Sequence, residues 1–206
     1  MSQTIAAVVL AAGLSRRMGR PKQLLPFGED TVLQTVVKML QSVPVERVVV
    51  VLGYKAVAVR ESLPEGVEYV VNANYTEGMF TSVLAGLGAI EKDADGMLML
   101  LGDQPQITAE VTRAVMDRFH RTEKGIVIPE VEGRRGHPVA IDINRYGDRI
   151  RGLDGAEGLK PVVRGYPDDT DVVCWDDASI LRDMDTPEDY EREIRLRENE
   201  SRGSHG

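Results

Sequence analysis

The sequence predicts a single-domain α/β fold with three layers and a doubly wound, mostly parallel sheet. Over residues 1–120, short apolar runs alternate with segments of helical periodicity. The apolar runs are continuous, with no alternation of polar and apolar residues, as in parallel strands covered by helices on both faces. In such sheets ligands bind at the carboxyl ends of the strands, and this is where the distinctive loops of this sequence fall.

The predicted strands of this half are buried runs that end at a glycine or a polar turn. In chain order they are residues 5–12, 48–52, 67–71 and 97–101. The segments between them each place apolar residues on one helical face. They are predicted as a helix over 32–42 capped by Thr31, a short helix after Gly53, a helix over 80–91, and a helix from a Thr108 cap to about His120.

After residue 120 the alternation becomes irregular. Strands are expected at 126–128 and 138–143, on either side of a turn at 133–137, and at 171–175. Helices are expected at 155–164 and 187–198. Neither an internal repeat nor a long linker is evident, so we predict one domain over 1–198 and a disordered tail over 199–206, where residues are polar and glycine-containing.

Charge and composition exclude several classes of function. A net charge of -8 and a sequence pI near 5.0 argue against a general nucleic-acid or anionic-membrane binder. Cys174 is the single cysteine, which excludes an intramolecular disulfide and a cysteine-based zinc cluster, and its apolar neighbours predict a buried thiol. The first apolar run has its arginines after it rather than before it, and no run reaches transmembrane length, so we expect a cytoplasmic protein.

The stretch LAAGLSRRMGRPKQLLPFG, residues 10–28, concentrates positive charge in an acidic chain. It matches neither the G-x-G-x-x-G dinucleotide loop nor the G-x-x-x-x-G-K-[ST] phosphate loop. Small residues at 11–13 would allow a ligand close to the backbone, Arg16 or Arg17 could form forked hydrogen bonds, and Lys22 adds a compact charge. These features predict a phosphate site, and the alternative is a solvated basic loop.

Carboxylates follow at two further places in the chain. Asp103 comes directly after the apolar strand 97–101, where a short side chain would be fixed as a metal ligand, although a turn or capping role explains it equally well. Asp183 and Asp185 precede a proline-started helix, and helix-start chemistry is the alternative there. Together with the cations they suggest Mg²⁺ held between aspartates and substrate phosphates.

Two weaker candidates remain. Gly78, Thr81 and Ser82 precede a helix at the same predicted sheet edge, and their hydroxyls and free backbone donors could bind a nucleobase. Helix capping alone would explain Thr81 or Ser82. His137 lies in a constrained turn between Gly136 and Pro138, and a structural role is the ordinary interpretation of a lone histidine.

Five motifs in order, LAAGLSRRMGRPKQLLPFG, NYTEGMFTSVLAGL, LGDQP, RGHPVAID and DMDTPEDY, resemble the MobA-like nucleotidyltransferase family over residues 5 to about 195. Within it the sequence is most similar to the molybdenum cofactor cytidylyltransferase branch. The resemblance implies a nucleotide-diphospho-sugar-transferase-like, Rossmann-type fold. It also implies an enzyme that transfers a nucleoside monophosphate from a nucleoside triphosphate to a phosphorylated acceptor and releases pyrophosphate.

The resemblance also implies roles for individual residues. Lys22, Arg17 and Asp103 would be catalytic, and Asp103 and Asp185 would hold Mg²⁺, with Mn²⁺ as an alternative ion. The acceptor, a molybdopterin-type phosphate, would face Gly136, His137 and Pro138. The residues implied to bind the nucleotide are Leu10, Ala11, Ala12, Gly13, Arg16, Arg17, Lys22, Asn74, Gly78, Thr81 and Ser82.

The AAG triplet and the GDQP motif favour CTP over GTP by the same resemblance. A molybdenum hydroxylase would be the partner that receives the product. Two alternatives stay open at this point. One is the same transfer to a sugar phosphate or polyol phosphate, and the other is a non-catalytic accessory protein that delivers the cofactor to such a hydroxylase.

Overall fold

The computed structural model describes residues 3–203, in which a mostly parallel sheet is covered by helices on both faces. The strands are β1 (Ile5–Ala11), β2 (Pro26–Phe27), β3 (Asp30–Thr31), β4 (Arg47–Leu52), β5 (Glu68–Val71), β6 (Gly96–Leu101), β7 (Ile126–Val131), β8 (Arg134–Arg135), β9 (Val139–Asp142) and β10 (Thr170–Cys174). The helices are α1 (Val32–Gln41), α2 (Ala56–Glu61), α3 (Met79–Ile90), α4 (Ala109–Arg121), α5 (Ile143–Arg151), α6 (Lys160–Gly165) and α7 (Pro187–Gly203).

The central sheet runs β10-β7-β9-β6-β1-β4-β5, with β8 paired to β7. Strand β1 lies between β4 and β6 and pairs with both in parallel. Strand β9 is antiparallel to both of its neighbours, β6 and β7. The carboxyl ends of β1, β4 and β6 therefore meet at one edge. This confirms the predicted α/β class with a doubly wound, mostly parallel sheet.

Strand β1 shows why the fold has three layers. Successive side chains of a strand point to opposite faces of its sheet. Ile5 and Val9 pack into the core under α1 and α4, whereas Ala6 and Val8 pack into the core under α3 and α5. Because both faces of β1 are fully buried, its sequence can be apolar at every position, which is the pattern seen in the sequence.

Local capping chemistry confirms two predicted helix starts. The Thr31 hydroxyl accepts a hydrogen bond from the Gln34 backbone N–H, and the Gln34 side chain accepts one from the Thr31 N–H, which completes a capping box. The Thr108 side chain likewise accepts from the N–H of Val111 at the start of α4. Both helices then bury one apolar face against the sheet.

Several boundaries in the second half differ from the sequence predictions. The predicted strand 138–143 ends at Asp142, whose side chain caps α5, a helix that the sequence analysis did not anticipate. The predicted helix 155–164 begins only at Lys160. The final helix continues to Gly203, so residues 199–203 are helical rather than part of the predicted tail, while residues 204–206 lie outside the described part of the chain.

The prediction of a buried Cys174 is wrong. Cys174 is exposed at the end of β10, which is an edge strand paired only with β7 among the described strands. An edge strand has no neighbour on its outer side, so apolar neighbours in sequence do not by themselves bury a residue there. Within residues 3–203, none of the helices has the length and apolar character needed to cross a membrane.

Candidate active site

A cleft of about 530 Å³ opens at the carboxyl ends of β1 and β6. Its walls come from the loop after β1, the loop before α3, the turn after β6 and the segment before α7. The lining residues are Leu10, Ala12, Gly13, Leu14, Arg16, Lys22, Gln23, Tyr75, Thr76, Gly78, Met79, Ser82, Leu101, Asp103, Asp183 and Asp185. The position agrees with the rule that open α/β sheets bind ligands at this edge.

Lys22 joins the two acidic walls of the cleft. Its ammonium donates a hydrogen bond to the Asp103 carboxylate and another, at 3.0 Å, to Asp185 Oδ1. The side chains of Lys22 and Asp103 are only 13% and 11% exposed, so this ion pair is largely removed from water. Arg17 adds a second cation to Asp185, with Nη2 2.6 Å from Oδ2.

The titration of these groups follows from burial and charge. Burial lowers the pKa of Lys22, but the carboxylates of Asp103 and Asp185 raise it by more, so the net shift is upward. Burial raises the pKa of Asp185, but Lys22 and Arg17 bring it below its usual value. The pKa of Asp183 is raised by burial and by the neighbouring carboxylates, most strongly that of Asp103, despite a hydrogen bond from Gln104 that lowers it. The cleft thus concentrates opposite charges in a partly desolvated space.

The loop after β1 is held in place by local contacts. Ser15 lies in the left-handed region, with φ 50°, and its carbonyl accepts hydrogen bonds from the N–H groups of Met18 and Gly19. Met18 is buried, and the Ser15 hydroxyl accepts from the Lys22 N–H at 3.2 Å. The buried Gln23 side chain donates to the Ala11 carbonyl at 3.1 Å. These contacts fix the backbone from which Lys22 reaches into the cleft.

The segment before α7 places two carboxylates in the cleft, one on each side of a buried residue. Met184 is fully buried in a small apolar cluster with Met18 and Phe27. The residues on either side of it, Asp183 and Asp185, both line the cleft. A buried methionine between two aspartates therefore anchors this acidic wall.

Asn72, which the sequence analysis missed, organises the wall opposite the carboxylates. It is buried directly after β5, and its amide donates to the Thr81 hydroxyl at 2.8 Å and the Ser82 hydroxyl at 3.0 Å. Its Oδ1 accepts from the Asn74 N–H at 2.9 Å. A polar residue at the end of an apolar strand, ahead of a helix start, is the sequence signal that could have identified it.

The structure brings most of the predicted nucleotide-binding residues together, but not all of them. Ala11 packs into the core and is not among the residues that line the cleft. Asn74 and Thr81 lie outside the lining, and the single proton of the Thr81 hydroxyl lies within hydrogen-bond reach of the carbonyls of Asn74 and Gly78. Arg17 contacts Asp185 from outside the lining, with its side chain 68% exposed. The predicted residues that do line the cleft are Leu10, Ala12, Gly13, Arg16, Lys22, Gly78, Ser82, Asp103 and Asp185.

The predicted acceptor residues lie beside the cleft rather than in its lining. Gly136 is packed against Ile180 so closely that a Cβ would overlap the Ile180 carbonyl. His137 donates its backbone N–H to the same carbonyl at 3.2 Å, and its peptide bond to Pro138 is cis. Burial lowers the pKa of the His137 imidazole to about 4, against an opposing effect of the Asp103 carboxylate, so the ring is neutral at physiological pH.

Comparison with known proteins identifies the family of this chain. The profile described as the MobA-like NTP transferase domain matches residues 7–171. The chain belongs to the MobA-like NTP transferase family. It is therefore placed among the nucleotidyltransferases, as the five motifs predict.

Two curated relatives cover nearly the whole chain. The molybdenum cofactor cytidylyltransferase of Escherichia coli is 28% identical over 90% of this chain and 93% of its own. The nicotine blue oxidoreductase of Paenarthrobacter nicotinovorans is 32% identical over 91% of this chain and 95% of its own. Sequence identity of about 30% over nearly the whole chain is thus shared with two proteins whose named activities differ.

Among solved structures, Rv0371c from Mycobacterium tuberculosis in complex with manganese is similar over 95% of this chain and 100% of its own. The TM-score is 0.79 and the sequence identity 28%. A protein with this fold and detectable sequence similarity thus carries a divalent metal ion.

The carboxylates of the cleft fit a hard divalent ion in their chemistry. Asp103 and Asp185 both bond the one ammonium of Lys22, so a single position lies within reach of both carboxylates. Among the described residues, no group of three or more His, Cys, Asp or Glu side chains is placed to hold a metal. Mg²⁺ is commonly held by one or two carboxylates, with substrate phosphates and water as its other ligands.

Proposed function

We propose that this protein transfers a cytidine monophosphate unit from CTP to the phosphate of a molybdopterin-type acceptor, releases pyrophosphate, and depends on Mg²⁺ or Mn²⁺. The observation that carries the proposal is the meeting of Lys22, Asp103 and Asp185 at the carboxyl end of the sheet. The family and the similarity to a molybdenum cofactor cytidylyltransferase support the reaction class and the acceptor.

In this proposal the reaction is an in-line substitution at phosphorus. An oxygen of the acceptor phosphate forms a bond to the α-phosphorus of CTP, and the bond from that phosphorus to the pyrophosphate oxygen breaks. The attacking oxygen is already anionic, so no side chain has to remove a proton from it. The principal barrier is the repulsion between anions, and unit charges about 4 Å apart repel by about 4 kcal/mol at an effective dielectric of 20.

The residues of the cleft would meet that requirement with fixed charge. Lys22 and Arg16 line the cleft and would contact the triphosphate, while Gly13 allows the backbone close to it. Ser82 and the loop at Gly78 would face the nucleoside. Asp103 and Asp185 would hold the metal ion, which, when bound, neutralises negative charge on the phosphates and on the departing pyrophosphate.

The proposal is tested by pyrophosphate release from the purified protein. CTP and GTP are compared with molybdopterin as acceptor, and molybdopterin is compared with a panel of sugar and polyol phosphates. We expect turnover with CTP and molybdopterin, and little with the other pairs. Binding of the cofactor without release of pyrophosphate would instead favour the accessory-protein alternative.

Lys22→Ala and Asp103→Ala should each lower turnover by about two orders of magnitude or more, because each removes a charge aligned with the reacting phosphates. Arg20→Ala is the matched control, since Arg20 is an exposed cation of the same loop and does not line the cleft. Near-normal pyrophosphate release by the Lys22 or Asp103 variant would contradict the proposal.

A second candidate is an oxidoreductase activity. It is favoured by the 32% identity to nicotine blue oxidoreductase over 91% of the chain. The test is consumption of NADH or NADPH in the presence of an electron-accepting dye, measured on the same preparation. The cluster of two carboxylates on one lysine is explained by a metal-bound triphosphate, whereas hydride transfer gives it no role. Steady dye reduction without pyrophosphate release would reverse this preference.

A further inference from the structure

The turn after β6 contacts the acidic segment before α7 through two glutamines. Gln104 is buried, and its amide donates to Asp183 Oδ1 at 2.8 Å and to the Arg182 carbonyl at 3.1 Å. Gln106 donates to the same Arg182 carbonyl at 2.5 Å and to the Ser179 carbonyl at 3.4 Å. The turn that carries Asp103 therefore also holds, by side-chain amides, a segment nearly 80 residues later.

Gln104 and Gln106 bind this segment differently. Gln106 reaches backbone carbonyls only, whereas Gln104 also bonds a carboxylate that lines the cleft. The Asp183 carboxylate is thus held by the uncharged amide of Gln104. Asp185, two residues later, is bonded instead by the cations Lys22 and Arg17. Cations can move to the phosphates of a bound nucleotide, whereas the buried amide of Gln104 bonds the Asp183 carboxylate and the Arg182 carbonyl.

We infer that Gln104 is a positioning residue that restrains the Asp183 carboxylate and thereby fixes Asp185 opposite Asp103. The inference rests on the proposed function, since it concerns the metal-binding pair of that reaction. It concerns the choice of Asp185 over Asp183 as the second ligand, which the family resemblance implied. Residues that orient metal ligands commonly change metal affinity by 10–100-fold when they are replaced.

The experiment measures Mn²⁺ affinity by electron paramagnetic resonance in the presence of CTP. Gln104→Met keeps the length of the side chain and removes its amide, and we expect Mn²⁺ binding about tenfold weaker. Gln106→Met is the matched control, because it removes from the same turn only contacts to the backbone carbonyls of Ser179 and Arg182, and Mn²⁺ affinity should change by less than about threefold. Unchanged affinity in a folded Gln104→Met protein would overturn the inference.

A double-mutant cycle separates positioning from a general effect on packing. In an Asp183→Ala background the carboxylate held by Gln104 is absent, so Gln104→Met should weaken Mn²⁺ binding much less than it does in the original protein. Additive effects of the two substitutions would count against action through Asp183.

The comparison of Asp183→Ala with Asp185→Ala keeps the inference testable even when Gln104→Met fails to fold. Asp185→Ala should lose more Mn²⁺ affinity than Asp183→Ala, and the reverse order would overturn the inference. Failure of the proposed function would be seen in the unsubstituted protein, and so differs from failure of the inference about Gln104. If the proposed function fails, the unsubstituted protein would not bind Mn²⁺ with CTP, or would bind it without releasing pyrophosphate.

Discussion

Lys22 occupies, between Asp103 and Asp185, the position that a divalent cation would need. In the proposed function, metal binding would therefore compete with the lysine contacts until a triphosphate gave Lys22 another anionic partner. We predict that Lys22→Met tightens Mn²⁺ binding in the absence of nucleotide by about tenfold, because the buried Asp103 carboxylate loses its cation and Asp185 keeps only Arg17. The same variant should bind CTP more weakly. Titration of Mn²⁺ with and without CTP measures both effects.

Arg20→Met serves as the control for this prediction, since it removes a cation from the same loop without touching either carboxylate. Equal or weaker Mn²⁺ binding by Lys22→Met in the absence of nucleotide would show that the lysine does not compete with the metal.

His137 gives the protein a defined sensitivity to acid. Its folded-state pKa of about 4 lies below the ordinary value of 6.5, so the unfolded chain takes up the proton first. Stability should therefore fall as the pH drops from about 6.5 towards 4. We expect the loss of unfolding free energy between pH 7 and pH 5 to be about 1 kcal/mol smaller in His137→Gln than in the original protein.

Denaturant unfolding at the two pH values measures this difference. An identical pH dependence in His137→Gln and the original protein would show that the imidazole is not held neutral by the fold.

At the scale of elements, α3 lies so close to β1 that glycine is required at one position. A Cβ on Gly86 would overlap Val8 Cγ1, whereas a Cβ on Gly88 would meet nothing within 4 Å. We predict that Gly88→Ala stabilises the protein by about 0.5–1 kcal/mol through helix propensity. Gly86→Ala should destabilise the protein by about 1 kcal/mol or more, because the steric cost of the new methyl group against Val8 is larger than the gain in helix propensity. Thermal unfolding of the pair measures the contrast, and equal stabilisation of both variants would contradict the close packing.

Elements were predictable from sequence where the signal is local. The continuous apolar run of β1 and the Thr31 capping box are both short-range patterns, and both are confirmed. Helix α5 was missed because it starts directly after β9, with Asp142 as the cap and no glycine or proline between strand and helix. The carboxyl-end rule placed Lys22 and Asp103 near one another. The Gln104 contact could not be anticipated, because its partner lies 79 residues away.

At the scale of the whole molecule, the cleft is assembled from distant parts of the chain, so its ligands should stabilise the entire fold. CTP with Mn²⁺ at about a hundred times the dissociation constant should add about 2.7 kcal/mol of stability. For a chain of this length that corresponds to a rise in Tm of about 5–10 °C. Differential scanning calorimetry measures it, with CTP alone as a control that should give a smaller rise. An equal rise in Asp103→Ala would place the ligands outside this cleft.

The positions of Lys22, Asp103 and Asp185 along the sequence determine when each becomes available during synthesis of the chain. Asp103 follows Lys22 by 81 residues and Asp185 follows it by 163, so on the ribosome the first carboxylate emerges long before the second. A chain that has been synthesised only as far as residue 182 lacks both Asp183 and Asp185, so the proposed site for a metal-bound nucleotide is incomplete. If the proposed function holds, a metal-bound nucleotide would engage the protein only after the segment before α7 has been translated and docked, so binding would be a late event in the maturation of the chain.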